Sequence, residues 1–190
     1  MCSSDLGLCL QLRRFVGIFY KLSFFVPQRV LKILYFSLVH SRILYGIEVY
    51  ANAFKTYIHD LITLNNRILR IVLKKDRFTH TEELYKLCNT MPIDKLFKLK
   101  LLLYAHSQYY KSSNLPNFFH LNYSINSQIH SHDTRTKDDF HIKSASSNIG
   151  NRATDAICYK LWNLLPTDTK KTQSTALFKK SIIQFIWQSE

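Results

Sequence analysis

The chain has 190 residues, 46% of them hydrophobic and 14% aromatic, with only 4 glycines and 4 prolines. Such content excludes a disordered chain, and so few turn-forming residues exclude an all-β architecture. The formal net charge is +13 and it is uneven, because residues 1–77 hold 12 Lys and Arg against 4 Asp and Glu. A clustered cationic excess points to polyanionic partners, nucleic acid first and an anionic membrane surface second; plain solubility is the bland alternative.

Taken in order, the run Met1–Leu6 reads like the translated end of a sequencing adapter. Residues 1–7 are therefore expected to be an artefactual leader, and the chain to begin inside a longer protein; an ordinary N-terminus is the alternative. From Leu8 to Phe25 the pattern predicts a helix with Leu12, Phe15, Val16, Phe19 and Leu22 on its apolar stripe and Arg13, Arg14 and Lys21 off it. Two long helices follow. One runs from about Pro27 to Tyr50, with Leu31, Leu34, Tyr35, Leu38 and Val39 on one face and Gly46 tolerated late in it. The other runs from about Thr56 to Leu73 with Ile58, Leu61, Ile62, Ile68, Leu69 and Val72 inward. Thr79 and Glu82 have capping-box spacing ahead of a short helix through Leu84 and Leu87. Pro92 then opens a helix to about Tyr110 that is apolar on more than one face, so it is either buried on several sides or docked on a partner.

Past Tyr110 the composition turns to Ser, Asn, His and Asp. Leu115-Pro116 and Phe118-Phe119 suggest a docked turn, and short extended pieces are expected around Gln128-Ile129 and Phe140-His141-Ile142. A stretch this long without strong periodicity reads as a boundary or as a segment that orders on a partner. A last helical pair closes the chain. Its first member runs from Thr154 to Leu165, and its second, capped by Ser174, carries Leu177, Phe178, Ile182, Phe185 and Ile186. The fold class is all-α, with a helical unit at residues 8–111, a polar connector at 112–151 and a small C-terminal helical pair at 152–190.

Four runs of residues, in order, resemble the C-terminal part of the reverse transcriptase of non-LTR retrotransposons, jockey-like and related elements. They are Gly17-Ile18-Phe19-Tyr20-Lys21-Leu22 with Leu34–His40 and Tyr45–Val49; Leu64-Asn65-Asn66-Arg67-Ile68-Leu69-Arg70-Ile71; Asn126–His130 with Thr134-Arg135; and Ile149-Gly150, Leu161-Trp162-Asn163-Leu164-Leu165-Pro166 and Ser174–Lys179. Departures are Tyr50-Ala51, where the family has Trp-Gly, and Asn65, where it has Gln. The resemblance covers roughly residues 10–186. It implies a thumb-like helical bundle, an RNA-directed DNA polymerase as parent, and fingers and palm upstream on the same polypeptide. The family's polymerases use two metal ions, implied to be magnesium, held by an Asp and an aromatic-x-Asp-Asp hairpin. This sequence has no such hairpin, so the fragment is expected to be no enzyme and to hold no cofactor.

The candidate site is a basic ridge of Arg67, Arg70, Lys74, Lys75 and Arg77, with Arg13 and Arg14 as a weaker second set. Arg67 and Arg70 lie one helical turn apart and can face one nucleic-acid backbone. In a thumb-like setting the ridge would hold RNA or DNA template–primer phosphates without reading sequence; otherwise it is a solvated helix face whose cations suit the helix C-terminus. Asp138-Asp139 is the only Asp-Asp pair and reads as solvated. His130, His132, His141 and Cys158 lack the spacing of a zinc site, and Cys88 with His80 has no third group to orient it. Trp162 reads as a core anchor, and Tyr109 and Tyr110 as helix-end packing rather than base-stacking platforms. Cys2, Cys9, Cys88 and Cys158 fit reduced thiols in an intracellular protein, nuclear or cytoplasmic. No apolar run, Val16–Val26 included, is long enough for a membrane span. The rival readings are a stand-alone nucleic-acid-binding module, a protein-interaction module docking through Ile93–Tyr104, and an unstable relic without function.

Overall fold

The computed structural model describes residues 3–52, 55–110, 124–129, 135–142, 146–147, 150 and 153–188. The docked turn expected at Leu115–Phe119, together with His130 and His132, lies outside them. Among the described residues the chain is all-helical. Its only β-type pairing is a single bridge between Ile125 and Phe140, with no sheet. The chain divides into two compact units, Met1–Leu96 and Phe97–Glu190.

The first unit is built on one central helix. Helix α1 (Ser3–Leu22) packs along α5 (Lys55–Leu73), and α6 (Thr81–Cys88) and α2 (Gln28–Leu34) also rest on α5. The expected stripe of α1 is real: Leu12, Val16 and Phe19 are buried at successive turns while Arg13, Arg14 and Gly17 are exposed. On α5 the inward face is Leu61, Asn65, Ile68, Leu69 and Val72.

The helix expected from Pro27 to Tyr50 departs from a regular α-helix in two places. After α2 the backbone widens into a π turn at Tyr35–His40, then continues as α3 (Ser41–Leu44). The cause is legible in the spacing of the buried side chains. Leu31, Tyr35, Val39, Ile43 and Ile47 recur every fourth residue and all are buried. In a regular α-helix four residues overshoot a full turn by roughly 40°, so this stripe would wind off the core. A wider turn, bonded i to i+5, takes that rotation back. Leu34 and Leu38, expected on the same face, are only half-buried. The second departure is Gly46. It is not a tolerated helix interior but a break, with φ +68 in the left-handed region that glycine enters without strain. The short helix α4 (Ile47–Tyr50) starts from it. The cap of α6 also differs from expectation: His80, not Thr79, occupies the N-cap, and no side chain caps the helix.

One polar network sits inside this unit. Asn65 is 1% exposed. Its Oδ1 accepts the Tyr35 hydroxyl at 3.0 Å and its Nδ2 donates to the Tyr85 hydroxyl at 3.3 Å, while that hydroxyl donates to Asn66 Oδ1 at 2.5 Å. Burial pushes the Tyr35 phenol well up and the Tyr85 phenol up to about 12, so both stay protonated donors.

The second unit contains most of α7 (Ile93–Tyr110), then α8 (Asn126–Ile129), α9 (Thr154–Asn163), α10 (Thr167–Lys170) and α11 (Thr175–Gln188). Its core is aromatic. Trp162 is fully buried, with ring centroids 5.4 Å from Tyr109, 5.5 Å from Phe140 and 5.7 Å from Phe178. On α11 the buried residues are Phe178, Ile182 and Ile186; Leu177, expected on that stripe, is exposed.

Phe140 belongs to the stretch read as a polar connector, yet it is buried and fastened by its backbone. Its N–H donates to Asn163 Oδ1 at 3.1 Å, and its carbonyl accepts from Asn163 Nδ2 at 3.0 Å. Beside it Asp139 is not a solvated carboxylate: Lys170 Nζ lies 2.8 Å from its Oδ1 and also donates to the Asn163 carbonyl at 2.9 Å. Gln128-Ile129, expected extended, forms the end of the helical turn α8. The short polar stretch leaves too little apolar surface for a strand partner, and the turn closes locally, with the Gln128 N–H donating to the Ile125 carbonyl at 2.9 Å.

Candidate nucleic-acid interface

The five cations of the basic ridge all line one open groove of about 710 Å³ in the first unit. Two chain segments form it. The last turns of α5 and the loop after it supply Arg67, Arg70, Lys74, Lys75 and Arg77; the end of α1 supplies Val16, Gly17 and Tyr20, and the turn after it Phe24. Among the described residues, no acidic one lines it. Arg13 and Arg14 are exposed on α1 but do not line the groove. Arg13 stands four residues before Gly17 and seven before Tyr20, so helical periodicity puts it on the groove-facing side of α1; Arg14 and Lys21 fall to one side.

The end of α5 explains the placement. Lys75 N–H donates to the Arg70 carbonyl at 2.9 Å and Lys74 N–H to the Ile71 carbonyl at 3.1 Å. This is the Schellman arrangement that closes helices through a left-handed residue, normally glycine. Here the left-handed residue is Lys74, at φ +52. A side chain in that conformation costs roughly 1 kcal/mol relative to glycine. In return a cation stands at the carbonyl end of the helix, where the helix dipole favours it.

The five cations are not equivalent. Arg70 is half-buried and donates to the Thr79 carbonyl at 3.1 Å, which ties down the loop after α5. Lys75 pairs with Glu83 at 3.1 Å, both ends well exposed. Arg77 lies over the Phe78 ring, 5.2 Å from its centroid. Arg67 and Lys74 are exposed and have no ion-pair partner among the described residues. Their charged groups meet no acidic side chain among the described residues.

Tyr20 and Phe24 are the groove residues that the sequence reading did not single out. They are 58% and 69% exposed, with ring centroids 5.3 Å apart and planes at 88°. The available signal was two aromatics at the end of a helix, Tyr20 off its apolar stripe and Phe24 just past its last residue.

The other constellations have structural roles. Cys158 is buried and its thiol donates to the Leu101 carbonyl at 3.2 Å; burial pushes it up to about 12. Cys88 is buried too and pushed up to about 11, the opposite of an activated nucleophile. Among the described residues no group of His, Cys, Asp and Glu could hold a metal ion. Tyr109 packs on Trp162, and the Tyr110 hydroxyl donates to the Lys170 carbonyl, so both belong to helix-end packing. Among the described residues no helix is long and apolar enough to cross a membrane. The chain matches no protein-family model, and comparison with curated proteins and with solved structures gave no match.

Proposed function

We propose that the chain grips nucleic acid through the groove between α1 and the end of α5, without reading sequence. The observation that carries this is the lining itself: five cations converge on one concave surface, with no carboxylate among the described residues that line it. Phosphate oxygens are the acceptors such a surface suits, and the positions of Arg67 and Lys74 leave both free to meet them. Lys74 adds support, since a lysine takes a left-handed position where glycine would be less strained, and so places a cation in the groove.

The wider reading rests on the resemblance of its four motif runs. On that reading the chain is the thumb and post-thumb part of a non-LTR retrotransposon reverse transcriptase, whose magnesium-dependent palm and fingers lie upstream on the same polypeptide. The groove would then hold the template–primer backbone, and the fragment alone would not polymerise. A docking role for Ile93–Tyr104 finds less support, because Ile93, Leu96, Phe97, Leu99, Leu101 and Leu102 are buried.

The test is fluorescence anisotropy with a labelled oligonucleotide over a salt series. A plot of log affinity against log salt should be linear, with a slope that falls by about one for each phosphate contact removed. Arg67→Glu with Lys74→Glu should weaken binding by at least roughly tenfold at low salt and flatten the slope. Unchanged affinity and slope in that double variant would overturn the assignment.

A further inference from the structure

We infer that the groove is built for single-stranded nucleic acid, with unpaired bases stacked on Tyr20 and Phe24 while the cations hold the phosphates. The inference rests on the function proposed above and adds the class of ligand.

The two walls of the groove differ in chemistry. One wall, from α5 and the loop after it, carries every cation; the other, from α1 and the turn after it, carries Tyr20 and Phe24. In a duplex the bases are already stacked on one another, so it offers backbone and base edges but no free base face, and it would leave the aromatic wall without a stacking partner. A single strand offers both: a charged backbone for one wall and free base faces for the other. The two rings meet edge to face, at 88°, and more than half of each is open to solvent, so ring surface is left to take a base. Tyr20 is in the last turn of α1, where the Ser23 hydroxyl donates to its carbonyl at 2.7 Å, and Phe24 lies in the turn that follows.

Space for a base is also provided. Gly17 lies one turn before Tyr20, and a Cβ placed there would meet no atom within 4 Å. Gly17 therefore leaves open space on the wall that also carries Tyr20, and a larger side chain there would occupy it. The volume of about 710 Å³ falls within the roughly 300–1,000 Å³ of cavities that enclose small organic ligands, which is room for more than a phosphate alone.

The experiment compares labelled oligo(dT), oligo(rU) and a blunt duplex of equal phosphate number, titrated with the full chain at several salt concentrations. Wild type is expected to bind the single strands more tightly than the duplex. Tyr20→Ala with Phe24→Ala should lose roughly tenfold or more in single-strand affinity, with duplex affinity and salt slope retained. Gly17→Leu should do the same by filling that open space. Circular dichroism of each variant checks its helix content. Photocrosslinking of a thiouracil-substituted strand to wild type gives a readout independent of any variant, and the adduct should map to Tyr20 or Phe24. Tighter binding of either the DNA or the RNA strand supports the inference and identifies the sugar preferred. Equal affinity for single strand and duplex, or an adduct elsewhere, overturns the inference and leaves the phosphate grip standing. Binding of none of the three oligonucleotides overturns both.

Discussion

Tyr35 donates its hydroxyl to Asn65 Oδ1 at 3.0 Å, from the first residue of a π turn to the middle of the central helix thirty positions on. The bond places a polar side chain at the heart of an otherwise apolar interface, and it is satisfied on both sides because Asn65 Nδ2 reaches the Tyr85 hydroxyl. Asn65→Leu should destabilise the first unit by about 2–3 kcal/mol, because it leaves the Tyr35 hydroxyl buried without a partner. Adding Tyr35→Phe should recover part of that loss. Urea denaturation of the two single variants and the double variant measures the coupling, and strict additivity would show that the bond contributes nothing.

Lys74 sets stability against binding. Replacing it by glycine removes the strain of a left-handed side chain and should stabilise the unit by about 0.5–1 kcal/mol. The same change removes a groove cation and should weaken nucleic-acid binding. A thermal melt and an anisotropy titration on the one variant should move in opposite directions. If both fall, the lysine is packed into the helix end rather than kept for its charge.

Asp139 and Lys170 form a partly buried pair, 17% and 16% exposed, that clamps the Phe140 strand segment onto Asn163. Asp139→Asn should cost about 2 kcal/mol, between the values for exposed and fully buried pairs, because the ammonium is left without a counter-ion. The loss should be local. Hydrogen exchange at the Phe140 and His141 amides, which donate to Asn163 Oδ1 and the Ser124 carbonyl, should accelerate more than exchange in α1 or α5.

The buried thiols make stability fall at high pH. Burial raises Cys88 from 9.0 to about 11 and Cys158 from 9.0 to about 12, so the fold binds protons that the unfolded chain has released. Their contribution is complete below about pH 9 and is lost as the pH rises through the folded values. His40 acts at the other end. Burial lowers it, so its contribution is present above about pH 6.5 and declines as the pH falls through its folded value. Melts from acid to alkaline pH should show both limbs. Cys88→Ala should reduce the alkaline limb and His40→Gln the acid one. A thiol reagent at neutral pH should label half-buried Cys9 well before Cys88 or Cys158.

What the sequence alone determined is local. The stripes Leu12, Val16 and Phe19 on α1 and Leu61, Ile68, Leu69 and Val72 on α5 are readable because burial repeats with the helical period along one segment. The ridge from Arg67 to Arg77 is readable for the same reason, since its members are neighbours along the chain. Only the tertiary structure decided what those faces meet. Tyr20 and Phe24 enter the cationic groove because α1 packs along α5, a pairing between segments some fifty residues apart that no periodicity encodes. Asn65 is no part of the apolar stripe read for its helix, yet Tyr35 and Tyr85 close over it, and Phe140 reads as part of a polar linker until Trp162 and Asn163 receive it. Each of these partners lies twenty or more residues from the side chain it meets. Hydrogen bonds and ring contacts at that separation depend on how whole helices rest on one another, which is a property of the packed core and not of any window of the chain.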